Sequence, residues 1–263
     1  MNKWSSDFVE LPTGRIAYHR TGGDLPPLVL AHGLTDNGLC WRRVAQALEH
    51  DFDVIMLDTR GHGLSARIGP DDSDDHGADI AAVITALELI RPVVIGHSVG
   101  ANTMAMLANQ FPELVSKVIL EDPPFRDMGS TVNRASRNEG FRKQVEKFSA
   151  MKPDEIVALG RKEYPAWHLD DIAPWAESKL QVDAEVMAWY DFLPWQQTID
   201  KIDSPTLLIV GEPENGGIVS EKIVEQAREI NPHIRAVQIK GAGHNIHREQ
   251  FDKYISIVRE FLL

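Results

Sequence analysis

One cysteine, Cys40, stands in the 263 residues. An internal disulfide and a cysteine-built zinc site are therefore excluded, and the chain suits a reducing compartment. No apolar run approaches the ~18 residues needed to cross a bilayer. The opening stretch from Met1 to Asp7 also lacks the apolar core of a secretory signal. A cytoplasmic protein is the expectation. Basic residues are in deficit, 27 against 39 acidic, for a net charge of −12. A field of that sign repels phosphate backbones and anionic lipid heads, so neither nucleic acid nor a membrane surface is expected as a partner. No Gly-x-Gly-x-x-Gly or phosphate-loop pattern follows a strand-like run, and no cofactor is implied. The acidic run Asp71-Asp72-Ser73-Asp74-Asp75-His76 lacks the glycine and distal glutamate of a calcium loop. It precedes a helical pattern whose N-terminal dipole favours that charge, and no metal is expected.

What is present is ordinary globular composition, 43% hydrophobic and 25% charged. The length suits one large domain with an insertion. Short apolar, β-branched runs alternate with helix-period stretches. Leu28–Ala31, Val54–Leu57, Val93–Ile95, Val118–Leu120, Thr206–Val210 and Ala236–Ile239 are apolar almost throughout, as in parallel strands covered on both faces. Ala78–Leu89 and the C-terminal Phe251–Phe261 stretch carry apolar residues at helical spacing. Phe8–Leu11 and Arg15–Tyr18 flank Pro12-Thr13-Gly14 and predict a hairpin. The fold class is α/β, a mostly parallel sheet with helices on both faces and an antiparallel start. The alternation stops over residues 125–200, which hold four of the six tryptophans. That stretch is expected to be a helical cap inserted between two core segments, 1–124 and 201–263. Most of its rings should pack its own core; Trp189 and Trp195 are the candidates for substrate-binding cavity walls.

The most informative stretch is Val93-Val94-Ile95-Gly96-His97-Ser98-Val99-Gly100. A buried strand runs into Gly-x-Ser-x-Gly and directly on into a helical pattern. Such a turn brings backbones close, requires small neighbours, and lifts the serine hydroxyl onto a helix N-terminus. A serine can merely cap a helix, but the paired glycines favour a nucleophile. Its base is expected at His244, presented by Gly241-Ala242-Gly243 after the last strand. His247 is the nearest competitor and should point elsewhere. The negative charge on an attacked carbonyl needs preset donors, and the loop His32-Gly33-Leu34 offers the backbone N–H of Leu34 beside that of Val99 as an oxyanion hole. His32 is expected to brace that loop through its ring nitrogens.

Taken in order, His32-Gly33, Asp58-Thr59-Arg60-Gly61-His62-Gly63-Leu64-Ser65, Gly96–Gly100, the helical stretch, Gly211-Glu212-Pro213-Glu214 and Gly241–His244 resemble the α/β-hydrolase family over nearly the whole chain. The resemblance implies an eight-stranded sheet, a lid, and the chain order serine, acid, histidine. An aspartate at the elbow would indicate dehalogenase or epoxide hydrolase chemistry; Ser98 argues against both. The family's usual acid position, after the strand Thr206–Val210, carries Glu214 where Asp is commoner. Asp122, directly after Val118–Leu120, occupies the place some members use instead. Glu214 is the first expectation and Asp122 the second. Glu121 and Glu212 are out of register with their neighbours.

The activity expected is that of a serine hydrolase cleaving a carboxylic ester or lactone of a small, largely apolar molecule. A carbon–carbon bond hydrolase and a non-catalytic small-molecule receptor on the same fold are the alternatives. The chain is expected to act as a monomer or homodimer.

Overall fold

The computed structural model describes residues 4–69, 75–126, 134–190 and 194–262. Eight strands form one sheet: β1 Ser5–Val9, β2 Ile16–Arg20, β3 Pro27–Ala31, β4 Asp53–Leu57, β5 Val93–His97, β6 Lys117–Glu121, β7 Thr206–Val210 and β8 Ile234–Gln238. Their order is β1-β2-β4-β3-β5-β6-β7-β8. β2 runs antiparallel to β1 and β4, and every other pair is parallel. The N-terminal hairpin forms, with its first strand starting earlier than the apolar pattern predicts, at Ser5. Four of the five β1 side chains are exposed, so apolar content is a poor guide to its limits.

The helices of the core are α1 Arg42–Leu48, α2 His76–Ala86, α3 Val99–Gln110, α8 Glu221–Ile230, α9 Ile246–Glu249 and α10 Phe251–Leu262. Alternate strand residues go to opposite faces. Val29, Ile55, Val94, Val118 and Leu208 pack with Ile80 and Ile84 of α2, Met104 and Leu107 of α3, and Ile223 of α8. Leu28, Leu30, Met56, Ile95, Ile119 and Ile209 pack with Val44 and Leu48 of α1 and with Tyr254 and Val258 of α10. Burial on both sides accounts for strands apolar at every position. In the Asp58–Ser65 stretch, the Asp58 carboxylate accepts the backbone N–H groups of Gly38 and Leu64, and Ser65 donates to the Asp58 carbonyl. This shapes the turn leaving β4.

Between β6 and β7 the chain leaves the sheet for α4 Arg134–Ser149, α5 Pro153–Glu163, α6 Leu169–Ser178 and α7 Val186–Trp189. Phe148, Ile156, Trp167, Ile172 and Trp175 form a small apolar core there. Among the described residues, no helix is long and apolar enough to cross a membrane.

Trp195 corrects an expectation. It lies at the return to the sheet, 3% exposed, in the main core rather than at a cavity. Its ring stacks on Phe125 with centroids 5.0 Å apart. The side chain of Trp189 lies outside the described residues. Trp195→Ala should therefore lower stability by about 3–5 kcal/mol in urea unfolding while leaving KM for a small ester near wild type. A shifted KM without lost stability would put Trp195 at the substrate.

Candidate active site

The glycines around Ser98 are demanded by contact. A Cβ on Gly96 would run into the backbone of Gly100, and one on Gly100 into the backbones of Ala31 and His32. The turn they allow holds Ser98 at φ 54° and ψ −120°, strained for a residue with a side chain, at the N-terminus of α3. Its N–H donates to the Glu121 carbonyl at 2.8 Å, anchoring the turn to β6.

His244 Nε2 lies 3.0 Å from Ser98 Oγ. Its other nitrogen, Nδ1, lies 2.7 Å from Asp122 Oδ2, so Nδ1–H faces the carboxylate and Nε2 is left to accept from the serine. Asp122 is fully buried and also sits at positive φ, 41°. Its two oxygens accept the N–H groups of Ile218, at 2.9 Å, and Val219, at 3.2 Å.

The first-ranked acid is thereby corrected. Glu214 is exposed on a 3₁₀ turn, Pro213–Asn215, while the nitrogen it was expected to meet is engaged by Asp122. The loop after β7 contributes instead the two backbone donors that hold Asp122. Glu212 in the same loop accepts the Gly241 N–H at 2.8 Å and steadies the turn before His244.

Leu34 lies on the loop after β3 and Val99 opens α3, directly after Ser98. A Cβ on Gly33 would lie 3.3 Å from Ser98 Cβ, so the β3 loop passes directly beside the serine. The Leu34 side chain packs in one apolar cluster with Val99, Phe141 and Val186. Among the described residues neither N–H donates to another backbone group outside the regular elements. His32 accepts the Thr59 N–H at Nε2, 3.1 Å, and therefore donates from Nδ1 to the Gly33 carbonyl, 2.8 Å. It braces the loop without touching the serine.

Sequence reasoning did not find what holds the base in place. His97 Nε2 donates to the His244 carbonyl at 2.9 Å. His247 points away from the serine; its Nδ1 lies 2.8 Å from Glu121 and its ring stacks on Trp41 at 4.5 Å. Beside the site, Asp36 accepts from Lys179 at 2.9 Å and from Arg248 at 2.6 Å. Burial pushes the Asp36 carboxyl up, but those two cations overcome it and hold it well below the usual range. Arg248 lies in the short helix Ile246–Glu249 that follows His244, a placement that spacing in the sequence did not signal.

A cavity of about 270 Å³ opens over Ser98 and His244. Its aromatic walls are Phe148, Tyr164, Trp167 and Trp175, with Lys147, Lys179, Arg248, Asp36 and Glu163 also lining it. The rings of this cavity come from the stretch between β6 and β7, and its apolar lining is interrupted by charge.

The profile of the α/β hydrolase fold family matches residues 26–148. N-formylmaleamate deformylase of Pseudomonas putida is 28% identical over 279 aligned positions, covering 93% of this chain and 91% of that one. The chain adopts the α/β-hydrolase fold. A second relative, 2-(acetamidomethylene)succinate hydrolase of Mesorhizobium japonicum, is 27% identical over 95% of this chain and 92% of its own. The crystal structure of an E-2-(acetamidomethylene)succinate hydrolase superposes with a TM-score of 0.83, at 21% identity and 99% coverage of both chains.

Burial under the site also fixes a pH dependence for this chain. It lowers the imidazoles of His97 and His247 to about 3. His76, stacked on Tyr190, is lowered to about 4. An unfolded histidine titrates near ~6.5. Each native ring stays neutral where its unfolded counterpart takes up a proton, so stability is complete above that pH and falls as pH drops toward 4. Urea melts should show this loss, and His76→Gln should reduce the slope by about 1.4 kcal/mol per pH unit, one proton's worth. An unchanged slope would mean His76 is protonated in the native state.

Proposed function

We propose that this chain is a serine hydrolase that cleaves a carboxylic ester or lactone through an acyl-enzyme. The observation that carries this reading is the chain of hydrogen bonds from Asp122 through His244 to Ser98 on a strained turn. Ser98 Oγ attacks the carbonyl carbon while His244 Nε2 takes its proton. The oxygen that gains charge is received by the N–H groups of Leu34 and Val99, the second at a helix N-terminus whose dipole favours an anion. His244 then gives its proton to the leaving oxygen. A water deprotonated by the same nitrogen attacks the acyl carbon, and the acid departs as the serine is restored. Asp122 keeps the proton on Nδ1 and stabilises the imidazolium that forms after each transfer. Relatives named as a deformylase and as a hydrolase support hydrolysis as the reaction class. A receptor would gain nothing from a nucleophile held at positive φ, where strain costs about 1–3 kcal/mol.

Three variants test the roles. Ser98→Ala should abolish turnover of a p-nitrophenyl ester and labelling by a fluorophosphonate. Asp122→Asn should lower kcat by about 10³–10⁴ with KM little changed, because the histidine loses its tautomer and its charge partner. Glu214→Gln, on the exposed turn, should keep kcat near wild type. A collapse in Glu214→Gln with activity retained in Asp122→Asn would reverse the assignment of the acid.

A further inference from the structure

The cavity over Ser98 is lined by three cations and two carboxylates in a chain whose net charge is −12. Their burial decides which of them count. Lys147 and Glu163 are exposed, and water and salt screen them. Asp36, Lys179 and Arg248 are buried, so one negative charge faces two positive ones where screening is weak.

The two cations differ in what they have left to give. Lys179 Nζ spends its donors on the Thr35 carbonyl, Thr35 Oγ1 and Asp36, all within 2.9 Å. An ammonium has three N–H bonds, so none remains. Arg248 is a five-donor fork. Nη2 bonds Asp36 at 2.6 Å and Nη1 bonds Asn245 at 3.2 Å, while Nε is buried without a partner. A charged donor left unpaired in a protein interior is costly, and its natural complement is a planar, two-oxygen anion. The guanidinium lies over the Trp167 ring at 4.7 Å, which fixes its plane against one cavity wall. At the end of α4, Lys147 lines the same cavity and has no ion-pair partner among the described residues.

We propose that this cavity selects substrates that carry a carboxylate, which docks on the free donors of Arg248 and is drawn in past Lys147. The proposal rests on the serine-hydrolase reading for the bond cleaved, but not for the anion bound. Asp36, itself fixed by Lys179, holds the guanidinium in place. The ester cleaved is therefore a half-ester or the lactone of a diacid rather than a neutral fatty ester.

The test compares mono-p-nitrophenyl glutarate with its methyl ester, two substrates alike except for the charge. Wild type should prefer the acid by about tenfold or more in kcat/KM, the worth of one charge-assisted hydrogen bond, and the preference should shrink as salt is added. Arg248→Gln should bring the ratio to about one, and Lys147→Gln should weaken its salt dependence. Should Arg248→Gln fail to fold, Arg248→Lys retains a charge for Asp36 with fewer donors. A severalfold drop in its ratio supports the proposal, and an unchanged ratio overturns it. Calorimetry of monomethyl glutarate with the Ser98→Ala protein separates the two readings, because binding there needs no chemistry. Binding that is lost with Arg248→Gln, in a protein that cleaves neither ester, would sink the hydrolase and keep the anion site. Cleavage of both esters at equal rates would keep the hydrolase and sink the anion site.

Discussion

β5 and β6 run side by side and end level, and most of the site follows from that pairing. His97 is in register with Glu121, and the next N–H on β5, that of Ser98, closes on the Glu121 carbonyl. Ser98, Glu121 at the end of β6 and Asp122 just past it are thus placed by main-chain hydrogen bonds, before any side chain is chosen. Glu121 and Asp122 are consecutive and diverge. Asp122 meets His244, and Glu121 meets His247 three residues later. One histidine segment is therefore held at both ends by one strand end. Only the first pair reaches the serine. The second is sealed beneath it, where burial raises the Glu121 carboxyl and lowers the imidazole. Its contribution is the geometry of the segment between.

The strands were legible because burial on both faces removes polar residues from them, and composition records that directly. Ser98 was legible because steric crowding leaves only glycine at 96 and 100. The acid was not. Glu214 and Asp122 both obey the order serine, acid, histidine, and no spacing separates them. What separates them is which strand end lies beside β5, and which loop turns its backbone N–H groups toward a carboxylate. Ile218 and Val219 do this for Asp122 through main-chain atoms, which leave no mark in a sequence. Trp195 failed for a related reason. Trp195 in the main core and Trp167 at the cavity look alike as composition; only packing distinguishes a ring stacked on Phe125 from one stacked under Arg248.

Net charge is silent on the cavity. A total of −12 describes the surface and the long-range field. It does not describe a cavity in which one buried aspartate stands against two buried cations. Water screens the surface charges, so the few that are shielded from it govern recognition.

Asp36 joins parts of the molecule that are far apart in sequence. It follows the Leu34 loop. Lys179 comes to it from the end of α6 in the inserted helices, and Arg248 from the short helix that follows His244. The donor loop, the cavity wall and the base are tied at one carboxylate. Taking three charges out of water is unfavourable, and packed apolar side chains would serve stability as well or better. An apolar contact, however, lets its partners slide. A carboxylate with both oxygens engaged fixes Leu34, the tryptophan wall and the His244 segment relative to one another. Tetrahedral chemistry tolerates little error in those positions. The same cluster that costs stability also presents a guanidinium with donors to spare. Positional order and charge selectivity are therefore two consequences of a single buried group.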